Sequence, residues 1–150
     1  MKNFKFNLEP LLRLKEVEKK KIELELAHCQ LEIDDFQHKL DSENKSISDM
    51  LSEAELLVRQ SGSIRSLLSI PNIMEIKKKN IKTLEDNIKT SEEKRQEVLK
   101  RLNIKNSEIK NINEKRDEKY NLYKKQIEKI EDDKRSELYN LVAHYKKLEH

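Results

Sequence analysis

Apolar residues recur at alternating steps of four and three residues through most of the first half of the chain. Twelve of the fourteen positions in this register are apolar, whereas a chain with 35% hydrophobic residues would place about five there by chance. This spacing is that of the a and d positions of a coiled coil, so it predicts a long helix that buries one narrow stripe, or seam, against a partner. The seam positions are Ile22, Leu26, Cys29, Ile33, Phe36, Leu40, Glu43, Ile47, Met50, Ala54, Leu57, Ser61, Ile64 and Leu68.

The composition agrees with a helix of this kind and disfavours a compact globular core. Charged residues make up 41% of the 150 residues and aromatic residues 5%, with one glycine, two prolines and no tryptophan. Such a chain is either disordered or a long helix with a narrow apolar stripe. The periodicity favours the helix.

A second and less regular seam follows in the other half. Seven of ten positions are apolar along Ile81, Leu84, Ile88, Ser91, Arg95, Val98, Leu102, Lys105, Ile109 and Ile112. Beyond Ile112 the steps become four, four and three. This 11-residue repeat has 3.67 residues per turn and is expected to unwind a left-handed supercoil towards the chain ends.

Local signals set the predicted boundaries. Asn7 is a suitable N-cap and Pro10 is tolerated in a first turn. Pro71 disfavours helical geometry at the preceding residue, so we place the turn there and interpret Gly62 as a weak point before it. The prediction is an all-α, single-domain antiparallel coiled-coil hairpin over 1–150, with helices at about 8–68 and 73–148 and a turn at 69–72. A turn centred near residue 70 would place Leu8 opposite Asp132, with the end of the second helix extending past the first.

The charges also favour pairing within the chain. The first 75 residues hold 11 basic and 14 acidic side chains, which gives a net charge of −3. The remaining residues hold 21 basic and 15 acidic side chains, which gives a net charge of +6. Interspersed charge of both signs is a poor match for a nucleic-acid binder, despite the pI of about 8.8.

Residues that carry chemistry are few and scattered. One glycine excludes a phosphate-cradling loop, and Cys29 has no partner for a disulfide or a thiolate metal cluster. We therefore expect no enzymatic activity, no metal or cofactor and no small-molecule substrate. No apolar run approaches the length needed to span a bilayer and none resembles a signal peptide, so a soluble, cytoplasmic protein is expected.

Apolar residues outside the seam are the candidates for binding partners. Val17, Leu24 and Leu31 recur every seven residues opposite the seam and suggest a docking stripe, although single exposed aliphatic residues are common. A second, turn-side group could either cover the hairpin tip or bind a partner, with the basic run at 77–79 adding electrostatic steering. This group contains Leu51, Leu56, Val58, Leu67, Ile73, Met74 and Ile76.

The opening segment carries a more specific pattern. It reads Phe4-Lys5-Phe6-Asn7-Leu8-Glu9-Pro10-Leu11-Leu12-Arg13-Leu14-Lys15-Glu16-Val17-Glu18. This segment resembles the start of the FliJ family, soluble components of the flagellar type III export apparatus, which typically begin Phe-x-Phe-x-Leu followed by Leu-Leu-x-Leu-Arg/Lys-x-x-Glu. The length, the hairpin layout and the charged stretch at 128–138 are also similar.

The resemblance implies a non-catalytic, stalk-like protein. Its terminal end, Phe4 to Leu31 with residues 120–148, would enter the hexameric flagellar export ATPase, and the family also contacts the membrane export gate and the export chaperones. The partner-binding residues expected on this basis are Phe4, Phe6, Leu8, Leu11, Leu12, Val17, Leu24, Leu31, Leu51, Leu56, Val58, Leu67, Ile73 and Ile76. Two alternatives stay open: the equivalent stalk of a virulence secretion system, and a scaffolding coiled coil that dimerises.

Overall fold

The protein is an all-α helical hairpin whose two long helices pack against each other. A computed structural model describes residues 3–61 and 65–149. Helix α1 covers Glu9–Ser61 and helix α2 covers Ile70–Leu148, with a short 3-10 turn at Arg65–Leu67 between them. The described residues contain no strand. The predicted fold class is confirmed.

The start of α1 lies within one residue of its predicted position. The first helical hydrogen bond runs from the Leu12 N–H to the Leu8 carbonyl, at 2.9 Å. Leu8 rather than Asn7 therefore occupies the N-cap position, because the capping residue is the one whose carbonyl accepts that bond. Pro10 is the second residue of the helix, where a missing N–H leaves no partner unsatisfied.

The prediction that α1 continues to about residue 68 is wrong, and so is the turn at 69–72. The helix ends at Ser61, and α2 already begins at Ile70. Pro71 is the second residue of α2, so it belongs to a first turn and does not end a helix. The Ser69 carbonyl accepts the Ile73 N–H at 3.2 Å, so Ser69 occupies the N-cap position of α2. The weak point at Gly62 and the seam position Ile64 lie outside the described residues.

The chain divides into two compact units. We call Met1–Lys19 with Ile104–His150 the terminal unit and Lys20–Asn103 the turn unit. In the terminal unit, Glu9 pairs with Arg116 and Glu18 with Lys105. In the turn unit, Glu25 pairs with Arg101 and Glu43 with Lys77. In both, residue numbers rise along α1 as they fall along α2, so the packing is antiparallel.

This register corrects the expected pairing of Leu8 with Asp132. Glu9 lies 3.7 Å from Arg116, whereas the expected register would place it opposite residue 131, about two heptads further along α2. The earlier end of α1 moves the bend towards the N-terminus and shifts every cross-helix pair with it. The stretch of α2 that lies beyond the start of α1 is correspondingly longer.

The seams occupy the interface as predicted up to Ala54 in α1 and Ile112 in α2, whereas the predicted seam residues Leu57 and Leu68 are exposed. Every seam position from Ile22 to Ala54 is buried or half-buried, and so is every one from Ile81 to Arg116. In the turn unit the core residues are Cys29 and Val98, at 1% and 2% exposed. In the terminal unit, Phe6, Leu12 and Ile112 form a buried cluster.

Candidate partner-binding surfaces

Polar residues interrupt the seam of the terminal unit and pair with one another there. The Lys105 ammonium lies 2.6 Å from Glu18 and 3.2 Å from Glu108, and Lys15 lies 3.0 Å from Glu108. The hydrogen bond from Lys105 lowers the pKa of Glu18, and hydrogen bonds from Lys15 and then Lys105 lower that of Glu108. The same pairing, led by the Glu18 hydrogen bond, raises the pKa of Lys105. A shifted pair of helices would lose these contacts, so the network favours one register.

Two further polar seam positions have partners. Glu43 lies 3.6 Å from Lys77, whose ammonium also donates to the Ser46 hydroxyl at 2.8 Å. Arg95 donates to Glu92, three residues earlier on its own helix, and this bond lowers the pKa of the Glu92 carboxyl. The polar seam is thus compatible with close packing, because Arg95 and Lys77 donate hydrogen bonds there and Glu43 has an oppositely charged neighbour in Lys77.

Aromatic residues close the terminal unit where the N-terminal segment meets α2. The Phe4 ring centroid lies 5.3 Å from Tyr120 in an edge-on arrangement and 5.5 Å from Tyr123. Lys119 lies over the Phe6 ring at 5.6 Å. On one side of Phe4 a groove of about 520 Å³ runs along α2 past Tyr123, Ile127 and Ile130. Such aromatic contacts hold the segment before α1 against α2.

Beyond this groove α2 is not covered. Every side chain from 128 to 149 is exposed, including the apolar residues of the 11-residue repeat. Leu138, Leu141, Tyr145 and Leu148 are 63%, 60%, 70% and 70% exposed. From Ile130 onwards the repeat therefore does not pack within the hairpin. We call Ile127–Leu148 the tail of α2.

The predicted partner-binding residues at the N-terminus divide between core and surface. Phe6 and Leu12 are 8% and 2% exposed, and Phe4 and Leu8 pack against their cluster. Buried side chains are not available to a partner, so Phe6 and Leu12 act here in packing. Leu11 is 38% exposed and lies on the accessible side of the helix.

The residues predicted opposite the seam are all on the surface. Val17 is 51% exposed, Leu24 71% and Leu31 67%. Their seven-residue spacing keeps each on the side of α1 that faces away from α2. Their accessibility is confirmed, and their contact with a partner stays a prediction.

The turn-side group is also largely accessible. Leu67 and Met74 are half-buried. Among the basic residues proposed for steering, Lys77 is engaged with Glu43 and Lys79 lies 3.7 Å from Glu75. The exposed members are Leu51, Leu56, Val58, Ile73 and Ile76.

The described parts of the chain offer little for chemistry. Residues 3–61 and 65–149 contain no group of three or more His, Cys, Asp or Glu side chains placed to hold a metal ion. Cys29, whose thiol is free, is buried in the seam, as expected of a small core residue. No helix within these ranges is both long and apolar enough to cross a membrane.

Sequence reasoning missed part of the exposed apolar surface. Tyr139 and Val142, at 76% and 53% exposed, lie in the tail outside the seam register. A difference in helix length would have revealed them, because a 79-residue α2 extends well past a 53-residue α1. The predicted turn lay too late in the chain to show the full length of this extension.

The described residues form an antiparallel helical hairpin with accessible aliphatic side chains and an uncovered tail, which is the architecture of a coiled-coil protein. A model of the FliJ family, described as the flagellar FliJ protein, matches residues 4–140. The chain belongs to the FliJ family, and it is therefore a flagellar export-related protein. No curated protein and no solved structure matches it significantly.

Proposed function

We propose that this protein is a non-catalytic, stalk-like component of the flagellar type III export apparatus. In this proposal the terminal unit inserts into the hexameric export ATPase, and the protein also contacts the membrane export gate and the export chaperones. It would act on the cytoplasmic side, associated peripherally with the inner membrane at the flagellar base. It has no nucleic-acid or small-molecule substrate of its own.

The observation that supports the proposal best is the combination of the family match with the form of the terminal unit. There the packed hairpin of Glu9–Lys19 and Ile104–Arg116 gives way to a tail of α2 that no helix covers. An elongated element with accessible apolar side chains suits the central opening of a ring. Exposed Leu11, Val17 and the tail would supply the contacts with the ATPase.

The turn-side group supports a second set of contacts. Leu51, Leu56, Val58, Ile73 and Ile76 are accessible and belong to the turn unit. We assign them to the export gate, with Leu67 at their half-buried edge. Leu24 and Leu31, also in the turn unit, would extend the contacts with the ATPase ring, as would Phe4 and Leu8 at the margin of the terminal cluster.

The test is an assay of ATP hydrolysis by the cognate export ATPase with and without this protein. We expect the protein to raise the ATPase rate while hydrolysing no ATP alone. Val17→Asp should reduce the stimulation, because a carboxylate would be desolvated in an apolar contact. Ile76→Asp, a matched exposed position in the turn unit, should leave the stimulation intact and reduce gate binding. An ATPase rate unchanged by the wild-type chain would contradict the proposal.

A further inference from the structure

The tail of α2 has the length and pattern of a coiled-coil strand without a partner in its own hairpin. Its side chains from 128 to 149 are all exposed. An isolated helix of this length is marginal in water, and most helical stability comes from burying an apolar face. The tail therefore has an apolar seam that gains stability only when another chain covers it.

The spacing of this seam is nearly the same in both directions. From Ile127 the steps are three, four, four, three, four and three residues, and from Leu148 backwards they are three, four, three, four, four and three. An antiparallel second copy with its Leu148 opposite Ile127 would place its Tyr145 opposite Ile130. Such a match is the requirement of a two-fold interface, in which the same patch serves both copies. The positions are Ile127, Ile130, Lys134, Leu138, Leu141, Tyr145 and Leu148.

The charges select the antiparallel arrangement. Residues 128–133 hold four carboxylates and one lysine, or −3, whereas residues 142–148 hold two lysines and no carboxylate, or +2 with His144 neutral. A parallel pair would place like charges side by side at both ends. An antiparallel pair places the acidic end of one tail against the basic end of the other, which favours that orientation over the alternative.

The groove beside Phe4 lies where the end of the second copy would arrive. Tyr123, Ile127 and Ile130 line it together with Phe4, and its volume is about 520 Å³. In the register above, Tyr145 and Leu148 of the second copy come opposite Ile130 and Ile127. Lys134 and Glu131 at the same groove provide polar groups at its margin. The groove thus extends the tail seam with apolar walls suited to those two side chains.

We propose that two copies of this chain associate through their tails, antiparallel, with Tyr145 and Leu148 of each copy in the Phe4 groove of the other. The seam spans about three heptads, so the dimer is weak and forms at high local concentration. Pairing covers the surface that the terminal unit would otherwise offer to another protein. The dimer is therefore a resting form that competes with any partner of the tail.

Sedimentation velocity of the full chain over roughly 1 to 500 µM tests the association. We expect the weight-average mass to rise from that of one chain towards that of two. Leu141→Glu with Tyr145→Glu should keep the chain monomeric throughout this range, because two carboxylates would lie in the seam. Leu24→Glu, an equally exposed leucine elsewhere, should dimerise as the wild type does. A monomer at every concentration, or equal association by the tail variant, would overturn the proposal.

Disulfide trapping tests the orientation, in a Cys29→Ala background that removes the native thiol. Ile127→Cys and Leu148→Cys chains, mixed under oxidation, should form a mixed disulfide, and each alone should form few links. Efficient linking of Ile127→Cys to itself would mean a parallel pair and would overturn the antiparallel register. If the chain stays monomeric while the tail variant loses binding to the export ATPase, the tail serves that partner and the dimer is rejected.

Discussion

Single residues in this protein matter according to whether the opposite helix covers them. Leu11 and Leu12 are chemically identical neighbours, yet Leu12 is 2% exposed in the terminal cluster and Leu11 is 38% exposed. The helical turn of about 100° per residue points them in different directions, so α2 covers only one of them. Covered positions hold the hairpin together, and uncovered positions are free to bind.

We predict that Leu12→Ala lowers the free energy of unfolding by about 2–5 kcal/mol, because it leaves a cavity beside Phe6 and Ile112. Leu11→Ala is the matched control and should change it by about 0.5 kcal/mol or less. Urea denaturation followed by circular dichroism measures both. Equal effects of the two substitutions would contradict the packing described for the terminal unit.

The network of Lys15, Glu18, Lys105 and Glu108 predicts a dependence of stability on pH. The pKa values of Glu18 and Glu108 lie below the ordinary 4.5, so their contribution is present above that pH and is lost as pH falls through their folded-state pKa values. The pKa of Lys105 lies above 10.5, so its contribution is present below pH 10.5 and is lost at higher pH.

The matched comparison is the wild type against a Glu18→Gln, Glu108→Gln double variant, measured as thermal unfolding midpoints across pH. The variant should be less stable at neutral pH, where Lys15 and Lys105 lose their charged partners. The two proteins should converge as the pH falls below the folded-state pKa values, because the wild-type carboxylates are then protonated. An unchanged difference at low pH would show that the charges are not responsible.

At the scale of elements, the two helices differ in how much of each is packed. The seam of α1 is covered from Ile22 to Ala54, whereas the tail of α2 is exposed from residue 128 onwards. Both helices have a proline as their second residue, so each proline lies in the first turn of a helix and neither interrupts a helix interior. Covering the exposed apolar side chains of the tail would therefore stabilise α2.

The tail should therefore exchange its backbone amide hydrogens faster than the rest of its own helix. At low micromolar concentration, amides at 131–148 should be among the least protected, because local opening of the tail exposes no packed seam. Amides at 98–112 should be among the most protected. Hydrogen exchange with mass spectrometry measures this. Protection of the tail equal to that of 98–112 in the dilute protein would contradict an uncovered tail.

At the scale of the whole molecule, the charge is divided between the helices. In four of the five cross-helix pairs seen here, α1 supplies the acid and α2 the base, and only Lys15 with Glu108 is reversed. This agrees with the net charges of −3 for the first 75 residues and +6 for the rest of the chain. Attraction between the helices thus accompanies the apolar seam, although each exposed pair contributes little.

This division predicts that salt lowers stability. The unfolding midpoint should fall as salt rises from roughly 20 to 500 mM, because the screening length shortens to a few ångströms. A Glu25→Gln, Arg101→Gln variant, which removes one pair without changing the net charge, should show a smaller fall. A midpoint that rises steadily with salt would mean that repulsion between like charges outweighs these pairs.

Much of this protein could be predicted from the sequence, because a heptad seam is a local pattern that specifies a helix and the face that it buries. The fold class, the seam from Ile22 to Ala54, the exposure of Val17, Leu24 and Leu31, and the family all followed from residue types and spacing. The end of α1 could not be predicted in this way, because the sequence offers two candidate break points, Gly62 and Pro71. Which of them ends the helix depends on tertiary packing.

The tertiary structure decided the register, and the register decided the rest. Moving the bend by a few residues shifts every pair across the hairpin, so Glu9 meets Arg116 and not the region of Asp132. The same shift lengthens the stretch of α2 that extends past the start of α1, so α2 is exposed from residue 128 onwards. Sequence determines which face of a helix is apolar; only the position of the partner helix determines how far that face is covered.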